Sequence, residues 1–242
     1  MNPYQQRVER LLSQMTLDEK LAQIGSCWMY ELQSDGKLDP QKMQSKLKHG
    51  IGQITRVAGA STLPPEGAAQ AGNQIQKFLV ERTRLGIPAI LHEESCSGPM
   101  LLGGTAFPQI IGVAATFEPR LAELMSAAIR SQLMAVGARQ TLAPVLDVSR
   151  DPRWGRTEET FGEDPTLVSQ FGMAYVRGMQ GGDLAGGVMA TGKHFIGHSL
   201  SQGGQNCAPV HLGKRELYDV FLAPFQAAIR DAGLAAIMNS YP

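Results

Sequence analysis

The sequence predicts an α/β fold built on parallel strands, and three observations carry that reading. Segments with strand and helix signatures alternate along most of the 242 residues. The strand segments are apolar along their whole length, as in parallel strands covered on both faces. Each later strand also turns polar at its C-terminal end, and in a parallel sheet those ends share one side.

Taken in order, Val8, Leu11, Leu12 and Met15 recur at helical spacing. Thr16 and Glu19 then form a capping box for a second helix through Leu17, Leu21 and Ile24. Residues 31–49 are polar and read as a loop with one amphipathic turn. "GIGQITRV" is a strand, "PPEGAAQAGNQIQKFLVERTRL" a helix closed by Gly86, and "IPAIL" the next strand. A Gly-rich turn, "SGPMLLGGTAFP", leads to a helix over 119–136 that places Leu121, Leu124, Met125, Ala128 and Ile129 on one face. The strand "RQTLAPVLDV" follows. Asp164 and Pro165 cap and open a helix running to about Gln180, and "GVMATGKHF" is a strand. Residues 213–232 form a helix that Pro224 kinks or divides, before a last strand over Leu234 to Met238. Five strands with no low-complexity linker and no repeat predict one compact unit.

Lys plus Arg and Asp plus Glu both number 22, for a formal charge of zero. That balance offers no basic field to nucleic acid or to an anionic membrane. Cys27, Cys96 and Cys207 are odd in number and widely spaced, so neither a disulfide framework nor a structural zinc site is expected, and all three read as small buried hydrophobes. The N-terminus lacks the charged-then-apolar layout of a secretory signal, and no stretch reaches the ~18 apolar residues of a membrane span. The expected location is cytoplasmic, or periplasmic or secreted if a leader has been removed.

The polar strand ends are His92, Glu93 and Glu94; Asp147 and Arg150; Lys193 and His194; Asn239 and Tyr241. Several strands contributing one or two groups each to a shared cleft is the arrangement of a barrel active site. An open doubly wound sheet also collects polar groups there, but no G-x-G-x-x-G follows the first strand and no phosphate loop occurs. Carboxylate, cations, imidazole and phenol without a metal cluster suit a neutral polyhydroxylated ligand, and no cofactor is expected. A sugar fits that mixture better than an anion.

At "RDPRWGRTEETFGEDP" followed by "GKHF", the sequence resembles family 3 glycoside hydrolases, the β-glucosidase and β-xylosidase group. "MTLDEKLAQ", "IPAILHEESCSG", "TAFPQIIGVAATF", "GGQNCAPVHLGKREL" and "IMNSYP" extend the likeness over nearly the whole chain. The resemblance implies a (β/α)8 TIM-type barrel, with residues 1–242 as the N-terminal part of one catalytic domain, incomplete in its last strands. It implies hydrolysis of terminal non-reducing β-D-glycosyl residues with retention, β-glucosidase first and β-xylosidase second. Glu94, Arg156, Lys193, His194 and Tyr241 match family positions that bind the sugar. The family's Asp nucleophile and Glu acid/base are expected downstream of Tyr241, so the segment alone is expected to be inactive and to work with a C-terminal portion of the same protein.

Other positions are given structural roles: Glu158, Glu159, Glu163 and Asp164 in turns and helix caps, and Trp154 in loop packing. Ser97 and Gln205 stand where many relatives carry His and Arg, which leaves the sugar's identity open. The N-acetylglucosaminidase branch is disfavoured, because "KHFIGHSLSQGGQNC" has Ile196 where that branch has Pro and lacks its Asp-Ser-His, so His198 is expected to be structural. A non-catalytic sugar-binding protein that keeps the subsite is the alternative from another class.

Overall fold

The computed structural model describes residues 4–241, which fall into two compact units. Pro242, the end of the last resemblance stretch, lies outside the described residues. The first unit comprises residues up to 93 with 101–103 and 135–138. It opens with α1 (Gln5–Gln14) and α2 (Leu17–Gln23). The predicted capping box is present: Glu19 N–H donates to Thr16 Oγ1 at 3.3 Å, and Thr16 N–H to Glu19 Oε2 at 2.9 Å.

Then come β1 (Ser26–Trp28), β2 (Gln33–Ser34), β3 (Lys37–Leu38), α3 (Pro40–Leu47), β4 (Gln53–Thr55), α4 (Pro65–Arg82) and β5 (Ile90–Glu93). β1, β4 and β5 are parallel, with Cys27 opposite Ile54 and Thr55 opposite His92. Their apolar side chains meet α4 through Ala71, Ile75 and Leu79, one stripe at helical spacing. A Cβ on Gly72 of α4 would sit 3.1 Å from Leu91 Cδ1, so the missing side chain lets helix and strand approach.

Four expectations are corrected in this unit. β1 is a sixth parallel strand, three residues long and too short for periodicity to reveal. Residues 31–49 are not mainly loop: β2 and β3 form an antiparallel hairpin, and α3 starts at Pro40 with Asp39 Oδ1 accepting from Gln41 N–H at 2.8 Å. β5 begins later than expected because Pro88 has no N–H for a ladder. α4 likewise ends at Arg82 rather than at Gly86, which sits in the next turn at φ +61.

The second unit holds the remainder: α5 (Ile110–Ala114), α6 (Pro119–Ala135), β6 (Gln140–Thr141), α7 (Pro165–Gln180), β7 (Met189–Phe195), α8 (Lys214–Glu216), α9 (Ala223–Ala232) and β8 (Ala236–Asn239). β6, β7 and β8 are parallel; Thr141 lies opposite Ala190, and Thr191 opposite Ala236. Gln180 at the end of α7 ties the strands together, its Oε1 accepting from Ala190 N–H at 3.3 Å and Ala235 N–H at 3.0 Å. β6 is shorter than predicted because Pro144 interrupts the ladder, which resumes at Val145 beside Lys193. A π-turn, Leu217–Phe221, separates α8 from α9, with Leu222 N–H reaching back to Leu217 O at 2.8 Å. Pro224 opens α9 and divides the helix as expected. α5 was not predicted.

The peptide bonds Ala143–Pro144, Lys193–His194 and Phe195–Ile196 are cis. No helix among the described residues is long and apolar enough to cross a membrane. The fold class is the predicted one, α/β with parallel strands, an incomplete barrel of the (β/α)8 type.

Candidate active site

Every sequence-predicted site residue lies in the second unit, and β7 is the centre of the arrangement. The strand is buried from Ala190 to His194, so it delivers Lys193 at 3% and His194 at 1% exposure. A buried ammonium must be paired. Lys193 Nζ donates to Glu94 Oε2 at 2.9 Å and to Oε1 at 3.2 Å.

The chain is anchored next to Glu94, at Ser95. Tyr175 of α7, fully buried, donates its hydroxyl to Ser95 O at 2.6 Å, and Ser95 Oγ lies 2.5 Å from Thr141 Oγ1 on β6. Burial pushes the Tyr175 phenol well above its ordinary range, so it serves as a fixed donor. The backbone turns at Gly98 with φ +130, where a Cβ would meet Thr105 O at 2.2 Å, so only glycine fits there.

His194 is fixed at both ring nitrogens. Asp147, buried after the Val145–Leu146 segment, accepts through Oδ2 from His194 N–H at 3.0 Å and from the ring at Nδ1 at 2.8 Å. Arg156 Nη1 lies 2.9 Å from Nε2. A guanidinium can only donate, so Nε2 accepts and the ring proton is assigned to Nδ1.

Arg156 enters from the turn before the 3-10 segment Thr157–Glu159 and grips Glu159 bidentately, Nε to Oε1 and Nη2 to Oε2, both at 2.7 Å. For both groups burial opposes the charge, but the hydrogen bonds between them outweigh it: Glu159 is held below the usual carboxylate range and Arg156 is raised. Glu159, expected to be only a turn residue, is thus the partner that orients Arg156. Its Oε2 also receives the Cys96 thiol at 3.9 Å. Burial pushes that thiol up to about 12, so it stays protonated.

Tyr241 completes the cluster from the end of β8. Its ring centroid is 5.9 Å from His194 and 5.1 Å from His198, and the residue is 58% exposed, so it can still meet a ligand. His198 is wholly buried between His194 at 4.6 Å and Trp154 at 5.4 Å, the structural place expected for it. Trp154 is buried in the loop, and Asp164 caps α7 by accepting from Leu167 N–H at 2.7 Å.

All five predicted residues are therefore brought together: Glu94 with Lys193, Arg156 with His194, and Tyr241 against His194. Asp147 was visible as a polar strand end but not as the partner of His194. The cysteine expectation is corrected: Cys27 is buried, Cys96 half-buried and Cys207 exposed, because Cys207 lies in a surface loop. None is in a disulfide. Two cations face three carboxylates, Glu94, Asp147 and Glu159, a nearly balanced set with hydroxyl-directed donors and acceptors.

Parallel β/α chains that gather such a polar set at their strand ends are the class of barrel proteins whose sites lie at that face. Residues 16–242 match the Glycosyl hydrolase family 3 N terminal domain, and the chain belongs to that family. A putative β-xylosidase of Formosa agariphila is 34% identical over 98% of this chain and 32% of its own length. A β-glucosidase of Erythrobacter marinus superposes with a TM-score of 0.88 at 36% identity, covering 97% of this chain and 31% of that one. A β-glucosidase of Listeria innocua in complex with isofagomine gives 0.83 at 29% identity, over 98% of this chain and 32% of that one. The chain spans about a third of the length of these relatives.

Proposed function

We propose that the protein containing this chain hydrolyses terminal non-reducing β-D-glycosyl residues, β-glucosides in preference to β-xylosides, with retention of configuration. Residues 1–242 are, on this reading, the N-terminal part of one (β/α)8 catalytic domain and supply its sugar-binding half. The observation that carries the reading is the linked cluster of Glu94–Lys193 and Arg156–His194–Asp147 in a family 3 domain.

Retaining hydrolysis needs two carboxyl groups about 5 Å apart, one as nucleophile and one as acid and then base. The carboxylates gathered here are otherwise engaged: Glu94 with Lys193, Asp147 with His194, Glu159 with Arg156. They therefore hold and orient the sugar, and the bond-making carboxyl groups belong to other parts of the protein. Hydroxyls bound by Lys193, Glu94 and Arg156 fix the ring, and bonds that strengthen as the oxocarbenium-like state forms contribute to rate. The Listeria relative's complex with isofagomine, a sugar mimic, makes that compound a suitable probe.

The full-length protein should hydrolyse 4-nitrophenyl β-D-glucoside with a higher kcat/KM than the β-xyloside, and the 242-residue chain should hydrolyse neither. Isofagomine should inhibit the full-length protein competitively. A full-length protein that binds isofagomine but cleaves no aryl glycoside would instead be a sugar-binding protein. Activity in the 242-residue chain would overturn the division of labour.

A further inference from the structure

His198 is the buried group of the second unit that the sugar site leaves without a chemical task. β7 ends at Phe195, and Gly197, at φ +87, turns the chain into the 3-10 segment His198–Leu200. The segment is pinned: Ser199 Oγ donates to Val148 O at 2.7 Å, and Ser201 Oγ donates to His198 O at 2.6 Å. The backbone of His198 is therefore fixed against the segment that carries Asp147.

Its imidazole is wholly buried, and neither nitrogen makes a hydrogen bond; Asn206 approaches the ring without reaching one. Burial, ahead of the charged neighbours, lowers the His198 pKa, so the ring stays neutral. Buried imidazoles normally use their nitrogens on partners, and one that does not is acting as a ring. Its neighbours are rings as well. Trp154 backs it at a centroid distance of 5.4 Å and an interplanar angle of 86°, and Tyr241 meets it at 5.1 Å and 84°. Edge contacts of this kind are directional.

Tyr241, by contrast with the ion-paired members of the site, lies just past the end of β8 and is 58% exposed. Among the described residues its ring contacts are with His194 and His198. The His198 contact is the closer and the more nearly perpendicular, 5.1 Å at 84° against 5.9 Å at 41°. Trp154, behind His198, belongs to the turn that carries Arg156, so one imidazole links that turn to the end of β8.

We propose that His198 is a positioning residue for the sugar site: backed by Trp154, its ring holds the Tyr241 phenol in the orientation that meets the ligand. This rests on the reading above, in which Tyr241 belongs to the sugar-binding half. Because no nitrogen of His198 is engaged, the role needs the ring and not the imidazole chemistry.

Isofagomine titration calorimetry and 4-nitrophenyl β-D-glucoside kinetics on the full-length protein test this, in wild type, His198→Ala, His198→Phe, Tyr241→Ala and the double variant of His198→Ala with Tyr241→Ala. His198→Ala should weaken isofagomine about two- to tenfold, the worth of one aromatic pair. KM should rise by a similar factor with kcat within about twofold, as for binding lost equally in ground and transition states. His198→Phe should restore affinity to within about twofold of wild type. With Tyr241→Ala already present, His198→Ala should add less than about twofold, because the two act as one unit. An equal loss in both backgrounds, or Tyr241→Ala with unchanged affinity, would overturn the proposal. A wild-type protein that binds isofagomine but cleaves nothing would remove the hydrolytic reading, and the same cycle read from binding would still decide the role of His198. Unfolding midpoints separate lost binding from lost folding, and the alanine cycle carries the test if His198→Phe fails to fold.

Discussion

Lys193 is nearly free of solvent and donates to the two oxygens of Glu94, whose side chain is 23% exposed. The pair is therefore asymmetric. Deleting Glu94 leaves an ammonium buried without an acceptor, whereas deleting Lys193 leaves a carboxylate that water can still reach. Removing one partner of a buried pair costs about 3–5 kcal/mol, and the partial exposure here places Glu94→Ala near the lower value, about 3 kcal/mol. Lys193→Met should cost less, because it replaces the cation by an apolar chain of similar reach. Urea unfolding of both variants checks the order, and equal losses would show that Lys193 finds another acceptor. Both should weaken isofagomine binding.

The helix α7 illustrates how packing overrides local preference. Gly178 lies inside it, and helix propensity alone makes Gly→Ala stabilising by about 1 kcal/mol. The surroundings reverse the sign. A Cβ at Gly178 would lie 2.1 Å from Ser126 Oγ and 2.2 Å from Glu123 O, both on α6. The serine can rotate, but the carbonyl belongs to a helix backbone and cannot yield without moving α6. Overpacking of this kind costs about 1–3 kcal/mol, and the backbone contact places this site at the upper end, so Gly178→Ala should lower stability by about 2 kcal/mol net. The double variant with Ser126→Ala should recover little. A thermal midpoint at or above wild type for Gly178→Ala would contradict the close approach of the two helices.

For the molecule as a whole, the clearest pH dependence comes from Glu19. Its carboxylate meets Arg84 and the Thr16 amide, and these bonds lower its pKa from 4.5 to about 2. Between those values the unfolded chain binds a proton that the folded chain refuses. Stability from this group is thus complete above pH 4.5 and is lost as the pH falls toward 2. Glu19→Gln should lower the urea midpoint at neutral pH and flatten this part of the curve, converging with wild type near pH 2. Curves that stay parallel throughout would assign the acid sensitivity elsewhere.

Much of the fold class was legible because apolar runs and cap residues are local signals, as at Asp164–Pro165 and Thr16–Glu19. The hairpin of β2 and β3 was missed, although its Asp35-Gly36 pair, both at positive φ, is the turn chemistry such a hairpin demands. The five candidate site residues followed from the family resemblance, and four of them also from polarity at strand ends. Asp147 was visible as a polar strand end, but its bond to His194 spans 47 residues and no pattern within one segment announces it.

One oxygen of Asp147 holds both the backbone amide and the imidazole of His194. Two points of attachment from a single buried atom leave the ring no rotational freedom to surrender. The entropy of ordering that side chain is met when the protein folds rather than when a ligand arrives, so His194 belongs to a preorganised surface. Asp147→Asn, which must turn one amide face toward these two donors, should therefore show its defect in the entropy of ligand binding before it shows in the fold.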